Sequence, residues 1–185
     1  VALKIRRRKN FIVAELSEKA CFSSHFCARL VAAVSTGTPR IGGEARAAEG
    51  TMAYWLMKSE PGSYSWDDLI GDRATEWDGV RNPAARLHLK AMQEGDEALF
   101  YHSGAQKAAV GVMRIARGAR PDPKDADWVS VAVEPLRALA RPVTLKAMKQ
   151  EPALAGLEML RQSRLSVSPV APEQWAALLA LSASG

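Results

Sequence analysis

Four short stretches of this sequence carry more polar and aromatic groups than folding alone demands. Lys58-Ser59-Glu60-Pro61 ends a strand-like run with a cation, a hydroxyl and a carboxylate in succession. Trp77-Asp78-Gly79-Val80-Arg81-Asn82 is a glycine-containing loop leading into a helix start. Backbone N–H groups there, with Arg81 beside them, make a receptor for a phosphate or for a carbonyl on a base edge. Tyr101-His102-Ser103 closes another strand, and Ser163-Arg164-Leu165-Ser166-Val167-Ser168-Pro169-Val170 is rich in hydroxyls. Each stretch also has an ordinary structural reading: Lys58 pairs with Glu60 or reaches solvent, Trp77 is core, and Asn82 is only a helix cap.

Enzymatic readings have few residues to draw on. Lys58, Glu60 and His102 are the acid–base set that an enzyme acting on a nucleic acid or nucleotide would use. His102 with Ser103 or Ser59 and Asp78 has the residue types of a hydrolase, but no nucleophile elbow accompanies them. His88 and His102 are the histidines after Met52, and no acidic cluster stands near either. No cofactor and no metal site are expected. Cys21, His25 and Cys27 lack a fourth ligand nearby and read as reduced thiols beside an incidental histidine.

The 185 residues are 48% hydrophobic and 24% charged, enough apolar surface for one real core. Charge-free stretches fall short of the roughly 18 apolar residues of a membrane-spanning helix. A soluble, monomeric, cytoplasmic protein is expected, with few cysteines and no export signal. The net charge of +5 lies wholly in residues 1–51, where nine Lys or Arg face four Glu. From Met52 onward sixteen basic and sixteen acidic residues cancel, so attraction to phosphate there must come from local arrangement. All five tryptophans and all three tyrosines also follow Met52. Residues 1–51 therefore read as a basic, disordered extension with a Gly/Ala/Thr-rich linker at its end, and Met52 as the natural start of the domain 52–185.

Tyr54 to Lys58 reads as a buried strand, and Ser65 with Asp68 forms a capping box for a short helix from Trp66 to about Ile70. Asn82 before Pro83 supplies an N-cap and an N1 proline for a helix that stops before Gly95. Glu97 to His102, Ala108 to Ile115 and Trp128 to Glu134 read as strands parted by Gly104, Gly118 and Pro121-Asp122-Pro123. Thr144 caps a helix through Met148, Pro152 to Leu160 reads as another, Leu165 to Val170 as extended, and Pro172-Glu173 opens a last helix. Without regular β-α-β alternation, the order predicts an α+β domain on a curled, partly closed sheet.

Taken together the four stretches resemble the EVE domain family, of the PUA-like superfamily, which includes the thymocyte nuclear protein group. Ala85-Arg86, Gly95-Asp96, Phe100, Val110-Gly111 and Pro121-Asp122-Pro123 continue the match through Leu181. The resemblance implies a PUA-like mixed β-barrel, a curled sheet of about five or six strands with short helices around it. It further implies a non-enzymatic binder of DNA or RNA that accommodates a flipped, modified base, such as a modified cytosine, in a pocket. On that reading Trp77 is the stacking surface or pocket wall, while Ser59, Asn82 and backbone near Val80 read the base edge. Lys58, Arg81, Arg86 and Arg164 orient phosphate; Glu60, Gly79, His102, Ser103, Leu165 and Ser166 complete the pocket. Where the family commonly has Tyr-Gln-Ala-Arg-Asn after Arg81-Asn82, this chain has Pro83-Ala84-Ala85-Arg86-Leu87, and Arg120 stands where a Tyr is usual. Two alternatives stand beside this reading: the Lys58/Glu60/His102 enzyme, and a module binding a small molecule or a protein partner.

Overall fold

A computed structural model describes residues 52–184. The arm expected over residues 1–51, with its cysteines, lies outside the described residues. In chain order the elements are β1 Tyr54–Ser59, α1 Trp66–Asp72, β2 Thr75–Trp77, α2 Pro83–Ala91, β3 Glu97–His102, β4 Ala108–Asp122, β5 Asp125–Thr144, α3 Leu145–Gln150, a 3₁₀ turn Pro152–Leu154, α4 Glu158–Arg161, β6 Val167–Val170 and α5 Pro172–Ala183.

The strands form one sheet in the order β2-β5-β4-β3-β1-β6. Only β1 and β3 run parallel; the other pairings are antiparallel. A parallel pair needs a long crossover, and the segment containing α1, β2 and α2 provides it. Helix α2 packs against β4 and β5 and also against β6, at the far edge of the sheet. One helix can reach both only if the sheet curls around it, and the curl stays open between β2 and β6. This is the expected α+β, partly closed architecture with six strands.

Local chemistry explains the boundaries. Ser65 accepts from the Asp68 amide at 3.1 Å while the Asp68 carboxylate accepts from the Ser65 amide at 3.0 Å, so α1 begins with the expected capping box. Asn82 Oδ1 accepts from the Ala85 amide at 3.1 Å, and Pro83 takes the first helical position of α2. Pro169 pairs with Trp55 in the ladder of edge strand β6; its missing N–H deprives the free edge of a donor.

The pleat sorts the core into two layers. Trp55, Met57, Ala98 and Phe100 point inward with Trp66 and Leu69 of α1, Ala85 and Leu89 of α2, and Trp77. Leu56, Leu99 and Tyr101 point outward, under Met148, Trp175 and Leu178.

Three expectations needed revision. β2 was not anticipated, because three residues carry no periodicity. β4 and β5 run on to 15 and 20 residues, past Gly118, Pro121, Pro135 and Pro142, because repeated register shifts absorb those residues within the ladder. The helix expected over Pro152 to Leu160 is a 3₁₀ turn and a separate short α4.

Candidate nucleic-acid interface

Three of the four polar stretches meet at one end of the sheet. β1 and β3 are parallel and in register, so Lys58 lies beside Tyr101 and Ser59 beside His102. The Ser103 amide and hydroxyl both donate to the Ser59 carbonyl, at 2.8 and 3.1 Å. The third stretch joins through Lys58, whose amide donates to the Ser166 carbonyl at 2.8 Å and whose Nζ donates to the Ser163 carbonyl at 3.1 Å. Glu60 lies beside Gly104 in the following turn, and Arg164 is exposed at the loop.

Within this mouth the pleat separates neighbours. Ser59 and His102 follow Met57 and Phe100 to the inner face, whereas Lys58 shares the outer face with Leu56 and Tyr101. Lys58 is half-buried, and desolvation brings its pKa down from 10.5 to about 8. Ser59 is 1% exposed and its hydroxyl donates to the Tyr64 carbonyl at 2.6 Å, so the hydrogen it was expected to offer a base edge is already engaged. His102 Nε2 accepts from the Trp66 amide at 3.0 Å, which places the ring proton on Nδ1, and Nδ1 bonds Gln106. Both ring nitrogens thus fix α1 and the β3–β4 turn, and neither is free for the acid–base role. Leu165 is core, at 3% exposure, and not an open wall.

The remaining stretch, Trp77 to Asn82, is anchored elsewhere, on the tip of the β4–β5 hairpin. Gly79, with φ of 75°, donates its amide to Asp122 Oδ2 at 3.0 Å, and Arg81 donates to the same oxygen at 2.8 Å. The Lys124 amide donates to Asp122 Oδ1 at 2.8 Å, and Lys124 Nζ reaches Asp78. Burial alone would raise the Asp122 carboxyl; the hydrogen bonds from Arg81, Lys124 and Gly79, with the Arg81 charge, outweigh it and hold the group below the usual carboxylate range. Arg81 and Arg86 lie over the ring of Trp128 at 5.5 and 5.7 Å. Trp128 was missed as a site residue because its strand alternation explains it fully; only the fold brings α2 beside it.

Asp122→Ala should therefore cost about 2 kcal/mol, since two amides lose their acceptor while the partly exposed Arg81 can rehydrate. The sign with pH follows from the lowered carboxyl. The unfolded chain, with an ordinary value of about 3.9, binds the proton first, so parent stability drops as pH falls below about 4. Urea unfolding from pH 7 down to pH 3 should show a smaller gap between parent and variant at the acid end.

The two regions communicate through aromatic rings. Trp77 meets Phe100 edge-on at 5.5 Å, Phe100 meets His102 at 5.4 Å, and Trp66 meets Phe100 at 5.5 Å. Trp77 has no exposed surface, so in this conformation it is not the open stacking platform anticipated for it. The indole N–H groups of Trp77 and Trp66 are nonetheless buried without an acceptor, and Val80 covers the same layer at 2% exposure. Among the described residues no group of three His, Cys, Asp or Glu is placed to hold a metal, and no helix is long and apolar enough to cross a membrane.

A curled, unclosed six-stranded mixed sheet with a polar mouth at the ends of its parallel pair defines the domain as an α+β fold. The chain belongs to the EVE domain family, whose model matches residues 53–181. Thymocyte nuclear protein 1 of Mus musculus is 34% identical, over 69% of this chain and 73% of its own length. Among solved structures, a protein of Rhodopseudomonas palustris is 44% identical and covers 71% of this chain and 94% of its own, with a TM-score of 0.69. The human THYN1 protein, in complex with DNA containing 5-methylcytosine, is 30% identical and covers 72% of this chain and 99% of its own, with a TM-score of 0.67.

Proposed function

We propose that this chain is a non-enzymatic nucleic-acid-binding domain that accommodates a flipped, modified base, such as a modified cytosine. The observation that carries the reading is the pair of buried indole donors, Trp66 and Trp77, left without acceptors on the inner face of a fold whose human relative is seen with 5-methylcytosine DNA. Orphaned buried donors are uncommon, and a guest with acceptor atoms on its edge would satisfy them. Extruding a base costs a few kcal/mol, which stacking and edge hydrogen bonds must return. Since Trp77 is fully covered, base entry parts the residues over it. Asn82 contributes its amide nitrogen, its oxygen being held by the α2 cap. Gly79 and the backbone at Val80 shape the wall, while Arg81, Arg86, Arg164 and Lys58 contact phosphate.

The engagement of both His102 nitrogens in structural bonds favours binding over turnover. The same proposal takes DNA as the first polymer and RNA as the second, a monomer acting in the cytoplasm, and residues 1–51 as an extension that recognition does not need.

Fluorescence titration of the full chain with short oligonucleotides, plain or carrying 5-methylcytosine, tests the reading. Tighter binding of the modified strand is expected, with a change in tryptophan emission and no altered base recovered afterwards. Equal affinity for plain and modified strands would sink it. Deleting residues 1–51 should lower affinity for both strands alike through lost charge and leave their ratio unchanged.

A further inference from the structure

A second basic surface lies beside the mouth and has no part in the arrangement described so far. The β3–β4 turn ends at Lys107, β4 begins beside the end of β5 through the pair Ala108–Thr144, and α3 starts at Leu145. A hollow of about 490 Å³ opens there, lined by Gln106, Lys107, Thr144, Leu145, Lys146 and Lys149 among others. Three lysines and no carboxylate line it. All three are exposed, and none forms an ion pair among the described residues. In a domain whose sixteen basic and sixteen acidic residues balance, three unpaired lysines around one hollow form a local positive field.

Lys107 adds an independent observation. Its φ of 42° lies in the left-handed region, where a residue with a side chain is strained and glycine is not. The neighbouring turn residue Gly104, at φ of 71°, is the ordinary solution to that demand. The Lys107 carbonyl accepts from the Leu145 amide at 2.8 Å, so the backbone is pinned while the ammonium is kept at a conformational cost. Gln106 ties the hollow to the mouth through its bond to His102. The pleat also sets Lys58 on the outer face, with Leu145. Ser103 and Lys107 are four residues apart, at most about 14 Å along the chain, a span of about four nucleotides of one strand.

We infer that the hollow bounded by Lys107, Lys146 and Lys149 is a phosphate-binding surface that holds the nucleic-acid backbone beside the mouth. The inference rests on the proposed nucleic-acid reading and extends it to a second contact. These lysines position the strand and add affinity without discriminating bases.

The test uses the full chain, a duplex carrying 5-methylcytosine and its unmodified twin, titrated from about 50 to 200 mM salt. Replacing Lys107, Lys146 and Lys149 together by Gln should weaken binding to both duplexes about tenfold or more and flatten the salt slope by about two units, with the ratio between duplexes preserved. Replacing the exposed Arg73, Lys90 and Arg161 by Gln removes the same charge elsewhere and should have a much smaller effect. Lys107→Gly gives a second reading: relief of the left-handed strain should raise Tm by about 2 °C while affinity falls. Parent binding that survives the lysine substitutions with unchanged slope overturns this inference alone. Equal losses in the two triple variants, as from net charge only, also overturn it. A parent chain that binds neither duplex overturns the proposed function as well.

Discussion

Gly111→Ala should destabilise the domain by about 3 kcal/mol and lower its Tm by about 10 °C. A Cβ at this position of β4 would lie 2.4 to 2.5 Å from three atoms of the Trp66 indole. The ring or the strand would have to retreat by more than half an ångström, and neither is free to do so. Trp66 is 6% exposed and packs on Phe100, and its amide is the donor to His102 Nε2. Gly111 sits in the ladder between Phe100 of β3 and Ala138 of β5. Overpacking of this kind costs about 1 to 3 kcal/mol where neighbours can adjust and more where they cannot.

Two controls separate this clash from a general intolerance of Gly→Ala. Gly71, in the last turn of α1, would place its Cβ in open space, so Gly71→Ala should stabilise slightly, by about 0.5 kcal/mol. Combining Gly111→Ala with Trp66→Leu removes the obstructing ring, so the combined loss should be smaller than the sum of the separate ones. A Gly111→Ala variant that melts within a degree of the parent would show that the indole does not rest on β4. Because Trp66 also carries the amide that orients His102, the clash should weaken base binding along with stability.

The consequence of Gly111 could not be read before the fold, whereas much of the fold could. Local signals were legible where one residue satisfies a nearby backbone group: Ser65 with Asp68, and Asn82 with Pro83, begin α1 and α2 where expected. The β3 boundaries, Glu97–His102, also match their sequence pattern. What resisted was long-range. The strand expected over Trp128 to Glu134 runs on through Pro135 and Pro142 to Thr144, because bulges remove the demand for their missing donors. For the proposed site, residue types singled out segments of which three meet at one end of the sheet, but period-two geometry divides them: Ser59 inward, Lys58 outward. The burial of Trp77 within the inner cluster, edge-on to Phe100, is a packing fact with no local signature. Arg81 and Arg86 were singled out through the family resemblance, but Trp128, over whose ring both guanidinium groups lie, becomes visible only when the β4–β5 hairpin meets α2.

Lys58 yields the other large effect, and its pH dependence carries opposite signs for stability and for binding. Its pKa is lowered by burial from 10.5 to about 8, and its ammonium has the Ser163 carbonyl as acceptor. Two donors therefore remain for a guest. Between pH 8 and 10.5 the unfolded chain keeps the proton that the folded chain has released, so unfolding takes up a proton and stability rises with pH across that window. Below pH 8 both states are charged and the slope vanishes. Binding runs the other way, since a phosphate or base acceptor needs the ammonium, and affinity for a 5-methylcytosine duplex should fall as pH rises through 8. Lys58→Met should therefore abolish the rise in stability from pH 8 to about 9.5, below the range where the raised phenols of Tyr64 and Tyr101 begin to oppose it, without destabilising the domain at pH 7, because it removes a half-buried charge and keeps an apolar stem. At pH 7 it should weaken binding by about 10- to 100-fold, the range for losing a charge-assisted hydrogen bond of about 1.5 to 3 kcal/mol. The residual affinity should lack the alkaline decline. Urea midpoints and duplex titrations at matched pH read both quantities on the same samples. A variant that binds as tightly as the parent at pH 7 would place the ammonium outside the interface, and the outward face of β1 would then serve only to anchor the 163–166 loop.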